Sequence, residues 1–509
     1  MGNLTINGFK VGAGATELPV VTKEMKEMYE AQAKHTIDTI RDDEMYKRLR
    51  GIGRRLDVEN LVFEGGGAKG IAYGGVILAL SDLGILQNVK RFAGASIGAV
   101  TAMYLAIGFT ADEIIESFLY NDNILQDESM FALPGNVYRK YGWFEGRLVT
   151  QFLEEQIARK TGDPKLTFEQ LYKRYGVELC VIVTNVSNMQ CEYCHPKTTP
   201  DLSIARALRM SIALPPMIQP VMENTGVYYS DGGLLNNYPI HVFDGWYLSM
   251  EKEASFLHMF DAEESQFGTV NPKTLGITLF NADESDCVKA DFFSQWDKYR
   301  WPEEPDTRIS RYRRENTRKK DEILTNKGKF AKCARKFIAR LRDADANNDG
   351  CIDRDELDKA LKDMDCLSDA EIDLLFGTNR ENTDQILNQL DSNQNNKIEY
   401  DEILWFLQRK GIGLFNSMIT PTITDKSVTS IFRFFGNIFA AMQMRTREIT
   451  TRKEDMERTI GVYCRYIQTT DLDLEIEDKQ YCMKLGWLST ILHLEQKFKK
   501  ERTSGIFGF

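Results

Sequence analysis

What the chain lacks narrows it first. Positive charge is not in excess: 64 lysines and arginines face 75 acidic residues, for a formal net charge of −11. That balance argues against nucleic acid as the main partner. Cysteines are few, nine in 509 residues, and follow no regular spacing. They read as free thiols in a reducing compartment rather than as a disulfide framework. Cys191 and Cys194 form a lone C-x-x-C beside His195, but a zinc site needs a second pair at suitable spacing, so this stretch reads as a loop with incidental cysteines. The first twenty residues carry neither a cationic start nor an apolar run, and no secretory leader is read there. Gly2 follows Met1, yet Ile6 stands where N-myristoylation needs Ser or Thr. The longest nearly uncharged run, residues 94–109, is too short to span a bilayer. A cytoplasmic protein is expected, peripheral to membranes, with room in its length for two to four domains.

What is present centres on residues 60–98. Leu61-Val62-Phe63 is a short apolar run that breaks into Gly65-Gly66-Gly67-Ala68-Lys69-Gly70, and an apolar helical stretch follows. Residues 91–93 then break into Gly94-Ala95-Ser96-Ile97-Gly98, again ahead of a helical stretch. Strand, glycine turn and helix, twice over, begin an α/β sheet, with both turns at its carboxyl edge. G-x-S-x-G is the pattern of a nucleophile elbow, in which a serine is held out on a sharp strand-to-helix turn. The helix after Ser96 points its positive end at the hydroxyl. The amides of Gly65, Gly66 and Gly67 form a candidate oxyanion hole, where one donor is worth about 3–4 kcal/mol. The same glycine run also satisfies the dinucleotide fingerprint G-x-G-x-x-G, with Asp82 near the expected acidic position.

A third element decides between these readings. Tyr228-Tyr229-Ser230 leads into Asp231-Gly232-Gly233. GGGAKG at 65–70, GASIG at 94–98 and DGG at 231–233, in that order, resemble the patatin-like phospholipase family, as do VIVTNVS at 181–187 and ALRMSIALPPMIQPV at 207–221. The resemblance covers roughly residues 60–290 and part of the C-terminal tail. It implies a patatin-like α/β hydrolase with a central, mostly parallel sheet. It also implies a Ser–Asp dyad without histidine, in which Ser96 attacks an ester carbonyl while Asp231 takes its proton and Gly65–Gly67 hold the oxyanion. A histidine triad stays open on paper, because His241 and His258 follow Asp231 in hydrolase order.

The remaining segments are read around this domain of residues 59–290. Residues 1–58 form a helical N-terminal extension, with a thin apolar stripe at Met25, Met28, Ile37 and Ile40. Trp143-Phe144 is either acyl-pocket lining or ordinary core. Residues 291–329 read as a charged linker; within it, 308–320 hold seven basic residues, a surface for anionic headgroups or a solvated connection. Residues 411–455 are apolar and amphipathic, with Ile431, Phe432, Phe435, Ile438 and Phe439 on one face. That face suits an interfacial helix, a lid or a docking surface. In the tail, 456–509, an RT-I strand and a D-x-x-L-x-x-x-x-K segment resemble the end of a patatin-like domain, so 330–410 would be an insertion.

That insertion carries an EF-hand pair, an all-α module. Asp345, Asn347, Asp349, Cys351 (by its carbonyl), Asp353 and Glu356 occupy every ligand position of a twelve-residue calcium loop, with Gly350 at the sharp turn. In the second loop Asp391, Asn393, Asn395, Lys397 (by its carbonyl), Glu399 and Glu402 take those positions, and Asn396 replaces the turn glycine. Four acids against three predict weaker binding by the second loop. Ser368-x-x-Glu371 reads as a capping box that opens an extra helix between the loops.

The expectation is therefore a calcium-regulated phospholipase A-type hydrolase acting at the phospholipid membrane surface, with Ca2+ as regulator and no cofactor for the chemical step. An activating protein is a further partner to look for. The alternatives are a non-enzymatic calcium-sensing scaffold, or a hydrolase or transacylase acting on lysophospholipids or neutral glycerides.

Overall fold

The computed structural model describes residues 4–6, 9–11, 18, 22–42, 56–120, 133–251, 266–281, 301–345, 349–362, 367–409, 438, 441–443, 445–447, 450–471 and 473–503. The chain divides into two units, Met1–Ser310 with Val428–Phe509, and Arg311–Ser427.

The first unit opens with a hairpin of β1 (Leu4–Ile6) and β2 (Phe9–Val11). Its centre is a sheet of eight strands built on β3 (Asn60–Phe63), β4 (Arg91–Ala95), β5 (Glu178–Asn185), β6 (Gln190–Cys194), β7 (Val221–Met222), β8 (Tyr228–Asp231), β9 (Thr274–Phe280) and a strand from the tail, Thr459–Tyr463. The tail strand, β9, β3, β4 and β5 are parallel neighbours. Their residues are buried almost throughout, as continuous apolar runs covered on both faces must be. β6 and β8 pair with β5 antiparallel, and β7 with β8.

One consequence of these registers positions the site. β6 flanks β5 over residues 181–185, so β4, which pairs with 178–182, and β8, which pairs with 183–185, share the opposite side end to end. Where β4 stops at Ala95, β8 brings in Asp231. The stretch of Cys191 and Cys194 is thus strand β6 rather than a loop; alternation against β5 sends Cys191 and Tyr193 to one core cluster and Cys194 to the other.

Helices cover the sheet. Tyr73–Asp82 is almost wholly buried, because Ile476–Thr503 crosses it backbone to backbone: a Cβ on Gly75 would stand 1.8 Å from the Met483 carbonyl oxygen. The tail is further tied in by Arg458, which bonds Asp244 and Asp455 at 2.6 Å each. The N-terminal helix Lys23–Arg41 buries Ala33, Thr36, Ile37 and Ile40, while Met28 of the expected stripe is exposed. Small Ala33 and Thr36 allow the close approach there, which a search for large apolar residues misses.

The second unit contains β10 (Ile352–Asp353), β11 (Lys397–Ile398), and helices Arg354–Lys362, Asp369–Phe376, Thr383–Leu390 and Tyr400–Arg409. The strand from the tail of the first unit is therefore β12. The chain enters the second unit through helix Arg308–Ala344, so the stretch expected as linker is helical from residue 308. Its own core includes Phe337, Leu341, Leu357, Ile372, Phe376, Ile386, Leu390 and Phe406. The expected aromatic face at 431–439 lies outside the described residues, apart from Ile438.

Candidate active site

Ser96 follows β4 and stands at the N-cap of the helix Ile97–Ala106, with φ at +52°. A non-glycine residue in that region is strained by about 1–3 kcal/mol and persists only where its surroundings fix it. Here they do. A Cβ on Gly98 would lie 2.4 Å from the Phe63 carbonyl oxygen, and one on Gly94 would lie 2.4 Å from Gly98 itself, so only glycines admit the crossing. The Ser96 N–H donates to Ser211 Oγ at 2.9 Å, and that hydroxyl donates in turn to Ile182 O at 2.6 Å. Ser211, at the end of helix Ile204–Ser211, thus locks the turn to β5. Motif reading missed it, since the ALRMSIALPP stretch carries no sign of which residue turns inward.

Ser96 Oγ donates to Asp231 Oδ2 at 2.9 Å. The other carboxylate oxygen accepts from Gly233 N at 2.7 Å, and the Asp231 backbone is held by Ala213 O and Thr184 Oγ1. Burial pushes the Asp231 carboxyl up from 3.8 to about 7, against the opposing pull of the Gly233 and Ser96 hydrogen bonds. A carboxylate at that value, in contact with a hydroxyl, is suited to proton transfer near neutrality.

The glycine run passes directly over the serine: a Cβ on Gly65 would lie 3.2 Å from Ser96 Cβ. Its three amides are not equivalent. Gly65 N–H donates to Asn237 O at 3.0 Å, and Ala68 N–H to Thr469 O at 3.0 Å. Gly65 is therefore removed from the expected oxyanion donors, which leaves Gly66 and Gly67. Asn237 also donates from Nδ2 to Gly65 O at 3.0 Å and to Glu64 Oε1 at 3.3 Å. Buried Glu64 accepts from Leu279 N at 2.7 Å and from Thr278 Oγ1, and Arg447 lies 3.6 Å away. Asn237 and Glu64 fix the loop and were not readable from sequence, because their partners lie more than a hundred residues away.

The rival readings lose their residues. His241 sits among Tyr193 and Phe267, pairs with the Tyr193 hydroxyl at 3.2 Å, and is pushed down to about 4 by burial. His258 lies outside the described residues. Asp82, the acid wanted for a ribose, pairs with Arg41 of the N-terminal helix at 2.8 Å. Phe144 is buried and bridges Ile218, and Trp143 N–H donates to Pro216 O at 2.8 Å; both serve to fasten this loop.

In the second unit, β10 and β11 pair Ile352 with Ile398 and bring the two predicted loops side by side. Each loop folds around its first and last acids. Gly350 N–H donates to Asp345 and Asp353 N–H to Glu356; Asn395 and Asn396 N–H donate to Asp391, and Ser392, Asn393 and Glu399 N–H to Glu402. Gly350 and Asn396 both take positive φ, 77° and 62°, so Asn396 performs the turn of the missing glycine. Asp345 Oδ1 is buried without a hydrogen-bond partner among the described residues, which fits a hard cation. Lys397 Nζ reaches Asp349 Oδ2 at 2.9 Å. Among the described residues no three His, Cys, Asp or Glu side chains converge as a metal cluster; Asn347 lies outside them.

A serine on a strained strand-to-helix turn, paired with a buried acid and overlaid by a glycine loop, thus lies at the carboxyl edge of the sheet. The sequence model of the patatin-like phospholipase family matches residues 61–244. An uncharacterised protein of Acanthamoeba polyphaga mimivirus is 31% identical over 231 residues, 45% of this chain and 68% of its own length. A probable lipid hydrolase of Invertebrate iridescent virus 6 is 29% identical over 198 residues, 39% of this chain and 67% of its own. Among solved structures, VipD from Legionella pneumophila aligns over 87% of this chain and 67% of its own at 16% identity, with a TM-score of 0.38. The type III effector protein ExoU aligns over 79% and 89% at 16% identity, with a TM-score of 0.24. The chain belongs to the patatin-like phospholipase family, and thus to the lipid hydrolases.

Proposed function

We propose that the protein is a calcium-regulated acyl hydrolase of phospholipase A type, cleaving fatty acyl esters of membrane phospholipids through Ser96 and Asp231. The observation that carries the reading is the 2.9 Å hydrogen bond from Ser96, on its strained turn, to buried Asp231. Asp231 Oδ2 takes the Ser96 proton as Oγ attacks the ester carbonyl. The tetrahedral oxyanion is met by the amides of Gly66 and Gly67 and by the positive end of helix Ile97–Ala106. Collapse expels the lysolipid alkoxide, which recovers the proton from Asp231, and an acyl-serine remains. Asp231 then deprotonates water, which releases the fatty acid and restores Ser96.

Calcium regulation is supported by the donor set of the paired loops, Asp345, Asp349, Asp353 and Glu356 with Asp391, Glu399 and Glu402, and by chain order. The insertion lies between β9 and β12, which are adjacent parallel strands, and β9 also pairs with β3, the strand leading into the oxyanion loop. A calcium ion there would be held by these carboxylates and would supply a structural charge, while the ester chemistry stays with Ser96 and Asp231. EF-hand sensors respond at roughly 0.1–10 μM, a range that matches cytosolic signals. The test is fatty-acid release from mixed phospholipid vesicles, in calcium and in chelator, by the wild type and Ser96→Ala. Release that needs both Ser96 and calcium is expected; equal release in chelator would remove the regulation and leave the hydrolase.

A further inference from the structure

Beyond the dyad, the carboxyl edge of the sheet carries an exposed apolar rim. Ser96 follows Ala95, which pairs with Ile182, so the nucleophile is level with Val183 of β5. β5 continues to Asn185 and turns at residues 186–189, about 10 Å beyond that level at about 3.3 Å per residue. On this turn Val186 is 48% exposed and Met189 84%. Val186 N–H bonds Tyr228 O, and Tyr228 pairs with Met222, itself 55% exposed. The ring of Tyr141 stands edge-on to Tyr228 at 5.6 Å. Tyr141 and its helical neighbour Tyr138 are 57% and 87% exposed. Backbone pairing joins Val186, Tyr228 and Met222, a ring contact adds Tyr141, and Met189 and Tyr138 stand three residues from Val186 and Tyr141, so these residues are grouped, unlike apolar residues scattered singly, which need no explanation.

Two features say what covers it. Tyr138 and Tyr141 bracket Arg139 and Lys140, both exposed, a local positive patch on a chain of net charge −11. Glu223, the acid beside Met222, is engaged by Arg206 at 2.9 Å. Tyrosines beside basic residues are the composition of proteins that seat in the headgroup layer. Tyr141 and Met189 also hold positive φ, 63° and 55°, so each sits at a tight turn of the chain.

We infer that this rim, from Tyr138–Tyr141 to Met189 and Met222, is an interfacial docking face for an anionic phospholipid bilayer, which sets the sheet edge that carries Ser96 against its substrate. The inference rests on the lipid-hydrolase reading for its biological sense, but its test needs no catalysis.

Full-length Ser96→Ala protein is co-sedimented with vesicles of phosphatidylcholine containing about 30% phosphatidylserine, and with pure phosphatidylcholine vesicles. Met189→Ser with Tyr138→Ser is expected to weaken partitioning at least about tenfold on anionic vesicles, the scale of losing one buried apolar side chain. Arg139→Gln with Lys140→Gln is expected to weaken binding to anionic vesicles only, and added salt is expected to reproduce that loss. An unchanged thermal midpoint shows that each variant folds. Binding of both variants equal to that of the parent would overturn the inference. So would a concentration-dependent dimer abolished by the Met189 and Tyr138 changes with vesicle binding intact, which would assign the rim to a second copy. A parent that binds vesicles without hydrolysing them when Ser96 is restored would sink the hydrolase reading alone.

Discussion

The pH dependence of ester hydrolysis follows from the surroundings of one carboxyl group. Asp231 is pushed up from 3.8 to about 7 because its burial penalises the charged form more than the Gly233 N–H and Ser96 hydroxyl reward it. That difference corresponds to something on the order of 4 kcal/mol between the two protonation states. The base acts only as carboxylate, so activity is low in acid and rises as pH climbs through the folded value. At pH 5 about one molecule in a hundred holds Asp231 ionised, and the rate should fall roughly tenfold per unit below 7. His241, pushed down to about 4, stays neutral across that window and adds no limb of its own. The assay is kcat/KM on a water-soluble short-chain ester between about pH 5 and 9. Half-maximal activity near 7, with a slope of one below it, is the expected profile. The same shift has a stability consequence. The folded state holds this proton more tightly than the unfolded chain, so stability falls as pH rises from the ordinary aspartate range through about 7. Asp231→Asn should therefore be inactive, yet more resistant to denaturant than the wild type at pH 8. Half-maximal activity near pH 4, or a mutant less stable than the parent at pH 8, would refute the reasoning.

Ser211→Ala removes the acceptor of the Ser96 N–H; kcat should fall roughly 10- to 100-fold, the cost of leaving one buried donor unpaired at about 1–3 kcal/mol, with KM on the soluble ester little changed. Gly75→Ala would place a Cβ 1.8 Å from the Met483 carbonyl oxygen; parting the two helices should cost about 3 kcal/mol, seen as a lower thermal midpoint. By calorimetry, Glu356→Gln should abolish the tighter calcium site and Glu402→Gln the weaker. Lys397→Met, which releases Asp349, should tighten calcium binding roughly two- to fivefold.

Which of these parts were legible before the structure depended on the range of the interactions. The glycine run at 65–70 and the turn around Ser96 are local: each motif encodes its own backbone conformation, so strand, turn and helix could be read in order. Asp231 was placed by resemblance, and its approach to Ser96 depends on β8 taking up the side of β5 that β4 vacates, a register no local pattern reveals. The oxyanion loop was overcounted, because the engagement of Gly65 by Asn237 spans 172 residues. Helix Arg308–Ala344 looked like a linker because its charge is dense, with seven basic residues in 308–320 alone. Strand β6 was hidden by Cys191 and Cys194, whose spacing drew attention to metal chemistry rather than to alternation. The proposed calcium loops at 345–356 and 391–402 could be proposed from sequence, since the candidate ligands and the turn residue all fall within twelve positions.

The central claim is that Ser96 is the nucleophile and Asp231 its base. Labelling the full-length protein with a fluorophosphonate, then mapping the adduct by mass spectrometry, tests it most directly. A single adduct on Ser96, formed rapidly by the wild type near pH 8 and at least about a hundredfold more slowly by Asp231→Asn, is the expected result. An adduct elsewhere, or equal labelling of Asp231→Asn, would contradict the account.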